Sequence, residues 1–297
     1  MTGRFGAVVT AMATPFRDDD ERTLDVDAAA DLARWLVANG SDALVVAGST
    51  GEAATLGDQE KVELWASVKD AVRDTDSPVI AGTGTYDTRH SIELSEQAAE
   101  VGADALLLVT PYYNKPPQRG LVAHFTAVAR ATDLPVLVYN IPGRTATRIE
   151  HDTLLELAQV DHVVGVKDAT GDLDAIARLV AEAPPGFELY CGDDWATFSA
   201  VCLGGVGVIS VASHLAGEPL GEMIRFITQG DVTSALKIHQ RLMPLFKALF
   251  VTSNPIPLKA ALEMAGHPVG PPRLPLVPAS DQERAAVRKA MEDAGVA

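Results

Sequence analysis

The sequence lacks most features that mark secreted, membrane or nucleic-acid-binding proteins. Two cysteines among 297 residues are too few for a disulfide framework or a cysteine zinc site, so a reducing compartment is expected. No apolar run approaches the roughly 20 residues that span a bilayer, and no hydrophobic signal core opens the chain, so we predict a cytoplasmic protein. Lysine and arginine number 24 against 40 acidic residues, and the net charge of −16 argues against nucleic-acid and anionic-membrane partners.

Nucleotide and metal motifs are also missing. An open dinucleotide-binding sheet would need a glycine fingerprint after its first strand, and residues 8–15 contain no glycine. The nearest match begins at Gly82 and Gly84 but has Asp87 where the third glycine belongs. There is no Walker-type loop, and the seven histidines form no HExxH motif or close pair. We therefore expect no dinucleotide site and no metal site.

Short apolar runs, each flanked by Gly, Pro or Asp, alternate with amphipathic stretches along the chain. The apolar runs have no polar alternation, which is typical of parallel strands covered by protein on both faces. The eight predicted strands are Gly6–Met12, Ala43–Gly48, Pro78–Gly82, Ala105–Thr110, Pro135–Asn140, Val163–Lys167, Glu188–Gly192 and Val206–Val211.

The stretches between them carry apolar residues at helical spacing, as at Val62, Trp65 and Val68. One strand and one helix together take about thirty residues, the size of a βαβ unit. We therefore predict an α/β fold, a (β/α)8 TIM barrel over residues 1–217. Residues 218–297 contain helical patterns only, including 232–250 and 281–294, and are predicted to form a C-terminal helical extension.

Lys167 is the strongest catalytic candidate, because it ends an apolar strand whereas most other lysines lie among charges on helical faces. Barrel enzymes place their reacting groups at the carboxyl ends of the strands. Only about 0.04% of an ordinary lysine is neutral at pH 7, and burial would raise that fraction and make the amine a Schiff-base nucleophile. The alternative is a structural ion pair with Asp168 or another carboxylate.

Three of the five tyrosines, Tyr112, Tyr113 and Tyr139, lie at predicted strand ends on the same face. A phenol can give and take a proton, and the hydroxyls of Ser49 and Thr50 could link phenols into a relay. The backbone N–H groups around Ser49 could also cradle a small carboxylate. Alternatively, the tyrosines pack on loops and the glycine-rich segment is a plain turn.

Two further groups of charged residues follow strands. Arg144 could clamp an anionic substrate through its guanidinium, or could pair with Glu150 or Asp152. Asp193 and Asp194 precede a helical apolar stripe, so we interpret them as helix N-caps rather than metal ligands.

Together these motifs resemble the dihydrodipicolinate synthase and N-acetylneuraminate lyase family of pyruvate-dependent class I aldolases, over essentially the whole chain. The motif around Lys167 marks the superfamily. The motif around Arg144, the Tyr112–Tyr113 pair and the motif at 254–259 point to its synthase branch. The motifs are Gly-Ser-Thr-Gly-Glu at 48–52, Thr-Pro-Tyr-Tyr-Asn at 110–114, Tyr-Asn-Ile-Pro-Gly-Arg-Thr at 139–145, Gly-Val-Lys-Asp-Ala-Thr at 165–170, Gly-Asp-Asp at 192–194, Gly-Val-Ile-Ser-Val at 207–211 and Asn-Pro-Ile-Pro-Leu-Lys at 254–259.

The resemblance implies a lyase of lysine and diaminopimelate biosynthesis that condenses pyruvate with L-aspartate 4-semialdehyde to 4-hydroxy-tetrahydrodipicolinate. Lys167 would form an imine with pyruvate, which loses a proton to become the nucleophilic enamine. Tyr139, Ser49 and Tyr113 would form the proton relay, with Tyr113 supplied by a neighbouring subunit. No organic cofactor or metal is implied, because the lysine acts as the electron sink.

The resemblance also assigns substrate-binding roles. Thr50 would hold the pyruvate carboxylate, Arg144 would bind the carboxylate of aspartate semialdehyde, and the backbone of Gly192 and Ile209 would line the pocket. The expected assembly is a homotetramer built from tight dimers, with small molecules rather than nucleic acid or membranes as partners.

Ser49 departs from the pattern, because synthases usually have threonine there and lyases often have serine. It keeps a class I aldolase for a sugar acid, such as N-acetylneuraminate or 2-keto-3-deoxygluconate, as the alternative, although Arg144 suits a carboxylate better than a polyol. A non-catalytic pyruvate-binding barrel is a third possibility, but it would have no use for Lys167 beside Tyr139.

Regulation is expected to differ from that of lysine-inhibited relatives. Lys61 would repel an incoming lysine ammonium, so we predict weak or absent feedback by lysine. The positions that match the inhibitor cleft of those relatives are Ala53, Asp58, Lys61, Tyr86 and His90, with Tyr112 retained.

Overall fold

The computed structural model describes residues 3–296, so residues 1, 2 and 297 of the predicted domains lie outside the described part. Eight parallel strands pair in sequence order, and the eighth pairs with the first to close a barrel. This confirms the predicted TIM barrel, and each strand falls within its predicted range or extends one residue beyond it. The strands are β1 Val8–Ala11, β2 Ala43–Val46, β3 Val79–Gly82, β4 Ala105–Val109, β5 Val136–Asn140, β6 Val163–Asp168, β7 Glu188–Cys191 and β8 Gly207–Ser210.

Alternate strand residues fill the interior of the barrel, as the two-residue period of a strand requires. Val9, Val45 and Leu107 belong to this inner cluster, together with Tyr139 near the carboxyl end. Phe5 donates its backbone N–H to the Tyr190 hydroxyl at 3.0 Å, at the amino end of the barrel. The barrel is therefore a packed core whose open mouth lies at the carboxyl ends of the strands.

A second, larger apolar cluster lies between the strands and the surrounding helices. Several of these helices begin at predictable caps: the Asp172 carboxylate accepts a hydrogen bond from the backbone of Ala175, and Ser280 and Glu283 form a capping box. The helices are α1 Val26–Ala38, α2 Asp58–Ala71, α3 Thr88–Glu100, α4 Gln118–Ala129, α5 Pro142–Thr145, α6 His151–Leu157, α7 Leu173–Glu182, α8 Thr197–Cys202, α9 Ser213–Thr228, α10 Val232–Ala248, α11 Ile256–Met264 and α12 Asp281–Ala294.

The C-terminal part after β8 is helical throughout its regular structure, as predicted. The division predicted at residues 217 and 218 falls inside α9, just after a kink at Ala216 where the backbone leaves helical geometry. Helix α9 packs on β1, and α10 packs on both α9 and α12. Among residues 3–296 no helix is both long and apolar enough to cross a membrane.

Candidate active site

Tyr139 and Lys167 are register partners on the neighbouring strands β5 and β6. Partners at the same register of parallel strands point to the same side of the sheet, so both side chains reach the mouth of the barrel. The Lys167 Nζ lies 4.2 Å from the centroid of the Tyr139 ring. The fold thus places the two strongest candidates of the sequence side by side.

Lys167 is buried, at 5% exposed. Burial lowers the pKa of its ammonium to about 8, while the carboxylates of Asp193 and Asp194 oppose that shift and Arg144 adds to it. At a pKa of about 8, roughly a tenth of the lysine is neutral at pH 7, a several-hundredfold increase over an ordinary lysine. Lys167 therefore has the electrostatic character of an amine nucleophile.

The alternative for Lys167, an ion pair with Asp168, is not seen. The Asp168 carboxylate accepts hydrogen bonds from the backbone N–H and the hydroxyl of Thr170, at 3.0 and 2.7 Å. Burial raises the pKa of Asp168, partly offset by these hydrogen bonds. Within the described part of the chain, Lys167 forms no ion pair.

Tyr139 is the phenol nearest the amine. Burial raises its pKa above the ordinary value of a tyrosine, although Arg144 and the nearby Ser49 hydroxyl work in the opposite direction. The phenol is therefore protonated at neutral pH. Ser49 and Tyr139 also line the same cavity.

That cavity has a volume of about 330 Å³ and opens beside Tyr139 at the barrel mouth. Of the predicted site residues, Ser49, Tyr139 and Arg144 line it. Its wall does not include Lys167, Thr50, Gly192 or Ile209.

Thr50 is 3% exposed, and its hydroxyl oxygen accepts a hydrogen bond from Asn254 Nδ2 at 2.9 Å. Its own hydroxyl hydrogen is left for another acceptor. Asn254 lies just before α11, and its backbone carbonyl accepts a hydrogen bond from Arg144 Nη2 at 3.1 Å. One residue of the C-terminal extension therefore holds both predicted carboxylate-binding residues, a role that the sequence analysis missed.

Arg144 lies on α5 with its guanidinium at the cavity wall. Neither of the alternative ion-pair partners, Glu150 and Asp152, contacts it in the described part of the chain. Its electrostatic influence reaches both Lys167 and Tyr139. The arginine is thus placed to meet an anion in the cavity.

Gly192 and Ile209 bound the site from β7 and β8. The Gly192 backbone N–H donates to the Asp168 carbonyl at 2.6 Å, and a Cβ at position 192 would come within 2.8 Å of the Ala169 side chain. The glycine therefore allows the close approach of the β6 and β7 ends. Ile209 is fully buried in the inner cluster of the barrel.

The prediction that Asp193 and Asp194 cap the helix that follows them is wrong. Neither side chain caps the short 3-10 turn Asp194–Ala196. The Asp194 carboxylate instead accepts hydrogen bonds from the Ser210 hydroxyl at 2.5 Å and from the backbone of Ala212 at 2.9 Å, bracing the turn after β8. Burial raises the pKa of Asp193 to about 6, helped by Asp194 and opposed by Lys167. The position of Asp193 directly after the predicted strand β7 was the sequence feature that could have placed it near Lys167.

Tyr113 does not join the site of its own chain. It is 92% exposed and has a left-handed backbone, with φ of 70°. Its neighbour Tyr112 instead lines the cavity and packs edge-on against Tyr86, with ring centroids 5.3 Å apart. The structure therefore separates the two tyrosines of the pair.

Lys61, the residue expected to weaken lysine binding, is buried at the cavity wall. Its Nζ lies 3.6 Å from Asp58 Oδ1, and Asp58 also contacts His90 Nε2 at 3.0 Å. The effect of this cluster on feedback stays a prediction. Among residues 3–296, no three His, Cys, Asp or Glu side chains are grouped as metal ligands.

Comparison with known proteins identifies the family and supports the fold. The model of the dihydrodipicolinate synthetase family matches residues 4–294. The 4-hydroxy-tetrahydrodipicolinate synthase of Heliobacterium modesticaldum is 52% identical, over 98% of this chain and 96% of that protein.

Solved structures agree with this match. Dihydrodipicolinate synthase from Cyanidioschyzon merolae with lysine bound superposes with a TM-score of 0.97 at 46% identity, covering 100% of both chains. The chloride-inhibited dihydrodipicolinate synthase from Acinetobacter baumannii, complexed with pyruvate, gives a TM-score of 0.94 at 37% identity, over 99% of this chain and 100% of that one.

Proposed function

The chain belongs to the dihydrodipicolinate synthetase family, and we propose that it condenses pyruvate with L-aspartate 4-semialdehyde to 4-hydroxy-tetrahydrodipicolinate through an imine on Lys167. The activity is that of its curated relatives, a carbon–carbon lyase of lysine and diaminopimelate biosynthesis. A sugar-acid aldolase is not favoured, because the similar relatives are synthases. The observation that carries the chemistry is Lys167, buried without an ion pair beside Tyr139.

The first step is attack by the neutral Nζ of Lys167 on the carbonyl carbon of pyruvate. The carbinolamine loses water to give a protonated imine, and loss of a methyl proton gives the enamine. The enamine carbon then attacks the aldehyde carbon, forming the new C–C bond while the aldehyde oxygen takes up a proton. Attack by the substrate amine on the imine carbon closes the ring and releases Lys167.

Tyr139 supplies and accepts the protons of these steps. Its raised pKa keeps the phenol protonated, so it can donate to the departing hydroxyl of the carbinolamine. Ser49 is its first relay partner. A serine offers the same O–H as threonine with a freer rotamer, so the relay does not require threonine at this position.

Two side chains suit the substrate carboxylates. The Thr50 hydroxyl accepts from Asn254 and still has its own hydrogen to donate, and Thr50 is our candidate for binding the pyruvate carboxylate. Arg144, at the cavity wall, is our candidate for the carboxylate of aspartate semialdehyde. Gly192 and Ile209 complete the pocket around the lysine.

Tyr113 completes the relay only if another copy of the chain delivers it. Its 92% exposure, away from its own cavity, supports delivery across a tight dimer, and we propose that two such dimers form a homotetramer. The free thiols of Cys191 and Cys202 fit a cytoplasmic location, which we also propose.

Borohydride reduction in the presence of pyruvate tests the proposal, followed by peptide mass mapping and an assay with aspartate semialdehyde. We expect a reduced adduct on Lys167 and product formation that depends on the semialdehyde. An adduct without product would favour a sugar-acid aldolase, and absence of an adduct would leave a non-catalytic barrel. As a matched test of assembly, Tyr113→Phe should lower turnover sharply and leave the adduct intact; unchanged turnover would remove Tyr113 from the relay.

A further inference from the structure

A buried ion pair joins the loop after β2 to the C-terminal extension, and one of its partners, Glu52, also lines the cavity at the barrel mouth. The Nζ of Lys259, on α11, lies 2.7 Å from Glu52 Oε1, and the two side chains are 3% and 1% exposed. Burying two charges costs several kcal/mol per ion before their attraction repays it, so such a pair is poor support for stability by itself. Its position suggests another purpose.

Both partners are held by further contacts. The second carboxylate oxygen of Glu52 accepts the backbone N–H of Arg273 at 2.9 Å, and the Arg273 guanidinium binds the Glu60 carboxylate at 2.6 and 2.8 Å. The Lys259 ammonium and the Arg273 guanidinium each lie 4.3 Å from the ring centroid of Phe16. Glu52 therefore cannot move without disturbing the C-terminal segment.

Glu52 ends the segment that carries Ser49 and Thr50. Its backbone is left-handed, with φ of 54°, a conformation that is unfavourable for a non-glycine residue and persists only when its surroundings fix it. Thr14 donates its hydroxyl to the Gly51 carbonyl at 2.6 Å in the same turn. The Glu52 carboxylate is the side-chain anchor of this strained turn.

We propose that Lys259 is a positioning residue: by holding Glu52 it fixes the turn at 51–52 so that the Ser49 and Thr50 hydroxyls face the reacting lysine. This inference rests on the proposed function, in which Ser49 relays protons and Thr50 binds the pyruvate carboxylate. A shift of about 1 Å in a positioned group can cost on the order of 100-fold in rate. The ion pair therefore acts on catalysis by holding the loop that carries Ser49 and Thr50.

The test compares Glu52→Gln, Lys259→Met and the double variant with wild type. Glu52→Gln keeps the size and the acceptor for Arg273, so it remains informative if Lys259→Met fails to fold. Lys69→Met is the matched control, because Lys69 Nζ lies 2.6 Å from Asp104 Oδ2, next to the amino end of β4 and away from the mouth. The measurements are Tm, kcat, the KM of each substrate and the pyruvate concentration that gives half-maximal borohydride trapping.

Both single variants should lower kcat about tenfold or more and raise the KM of pyruvate severalfold, with the KM of the semialdehyde within twofold of wild type. The double variant should recover Tm relative to Lys259→Met, because no buried charge is left alone, but should not recover kcat. Lys69→Met should leave kcat and both KM values unchanged.

A purely structural pair would lower Tm and leave kcat and the pyruvate KM of the folded variants within twofold of wild type, which would overturn the proposal. If wild type itself forms no product from the semialdehyde, the proposed function fails. The pyruvate concentration needed for half-maximal trapping then still decides the positioning role, since it depends on Thr50 and not on the second substrate.

Discussion

Two lysines of this barrel are buried to nearly the same extent, Lys167 at 5% and Lys259 at 4% exposed. Burial lowers the pKa of each to about 8. Their surroundings differ: Lys259 has the Glu52 carboxylate at 2.7 Å, whereas Lys167 has the ring of Tyr139 at 4.2 Å and feels its largest acidic influence from Asp193.

The comparison shows that burial alone does not make a lysine a nucleophile. The Lys259 ammonium is held by a fixed carboxylate, and deprotonation would break that ion pair. The charge of Lys259 therefore serves the structure. An amine beside a phenol and at the edge of a cavity can lose its proton and reach a carbonyl. The regions around Lys167 and Lys259 thus use one residue type for opposite purposes.

Replacing Lys167 should have the largest effect. Lys167→Met is expected to lower activity at least about 10³-fold and to abolish the borohydride adduct, because it removes the amine that forms the imine. Lys259→Met should still form the adduct. Mass mapping of both variants after pyruvate and borohydride treatment measures this. An adduct on Lys259 in the Lys167→Met variant would contradict the different roles of the two lysines.

Removing the hydroxyl beside Lys167 tests what the aromatic neighbour contributes. Tyr139→Phe keeps the ring and should lower kcat about 100-fold through loss of general acid–base catalysis, while the imine can still be trapped. Steady-state kinetics with quantitative trapping separates the two effects. A kcat within threefold of wild type would mean that the ring alone matters.

The pH dependence distinguishes the two lysines even though their pKa values coincide. Lys167 must be neutral to attack, so kcat/KM for pyruvate should rise about tenfold per pH unit below pH 8 and level off above it. Lys259 stays paired, so Lys259→Met should preserve an inflection near pH 8 whatever its effect on the rate. If the inflection disappears in Lys259→Met, the titrating group is Lys259 and not Lys167.

The strands could be predicted because each is a local apolar run, and a parallel strand buried on both faces carries that signal by itself. Lys167 and Tyr139 could be predicted as neighbours because a barrel brings consecutive strand ends together. Asp194 was misread, because its hydrogen-bond donors come from the turn after the next strand and not from its own helix.

Contacts between distant parts of the chain escaped the sequence analysis for the same reason. Asn254 and Thr50 lie 204 residues apart along the chain and meet only because the C-terminal extension folds back onto the loop after β2. The Glu52–Lys259 pair joins the same two segments. Neither contact has a periodicity or a spacing that a linear pattern could reveal.

The sequence by itself determined the strand–helix alternation, the barrel and the polar residues at its mouth, since these follow from local hydrophobic patterning and from the order of the strands. Only the tertiary structure decided which of the two buried lysines keeps a carboxylate partner. That choice depends on long-range packing of the C-terminal extension against the loop after β2, and burial and charge act through distances in space rather than along the chain.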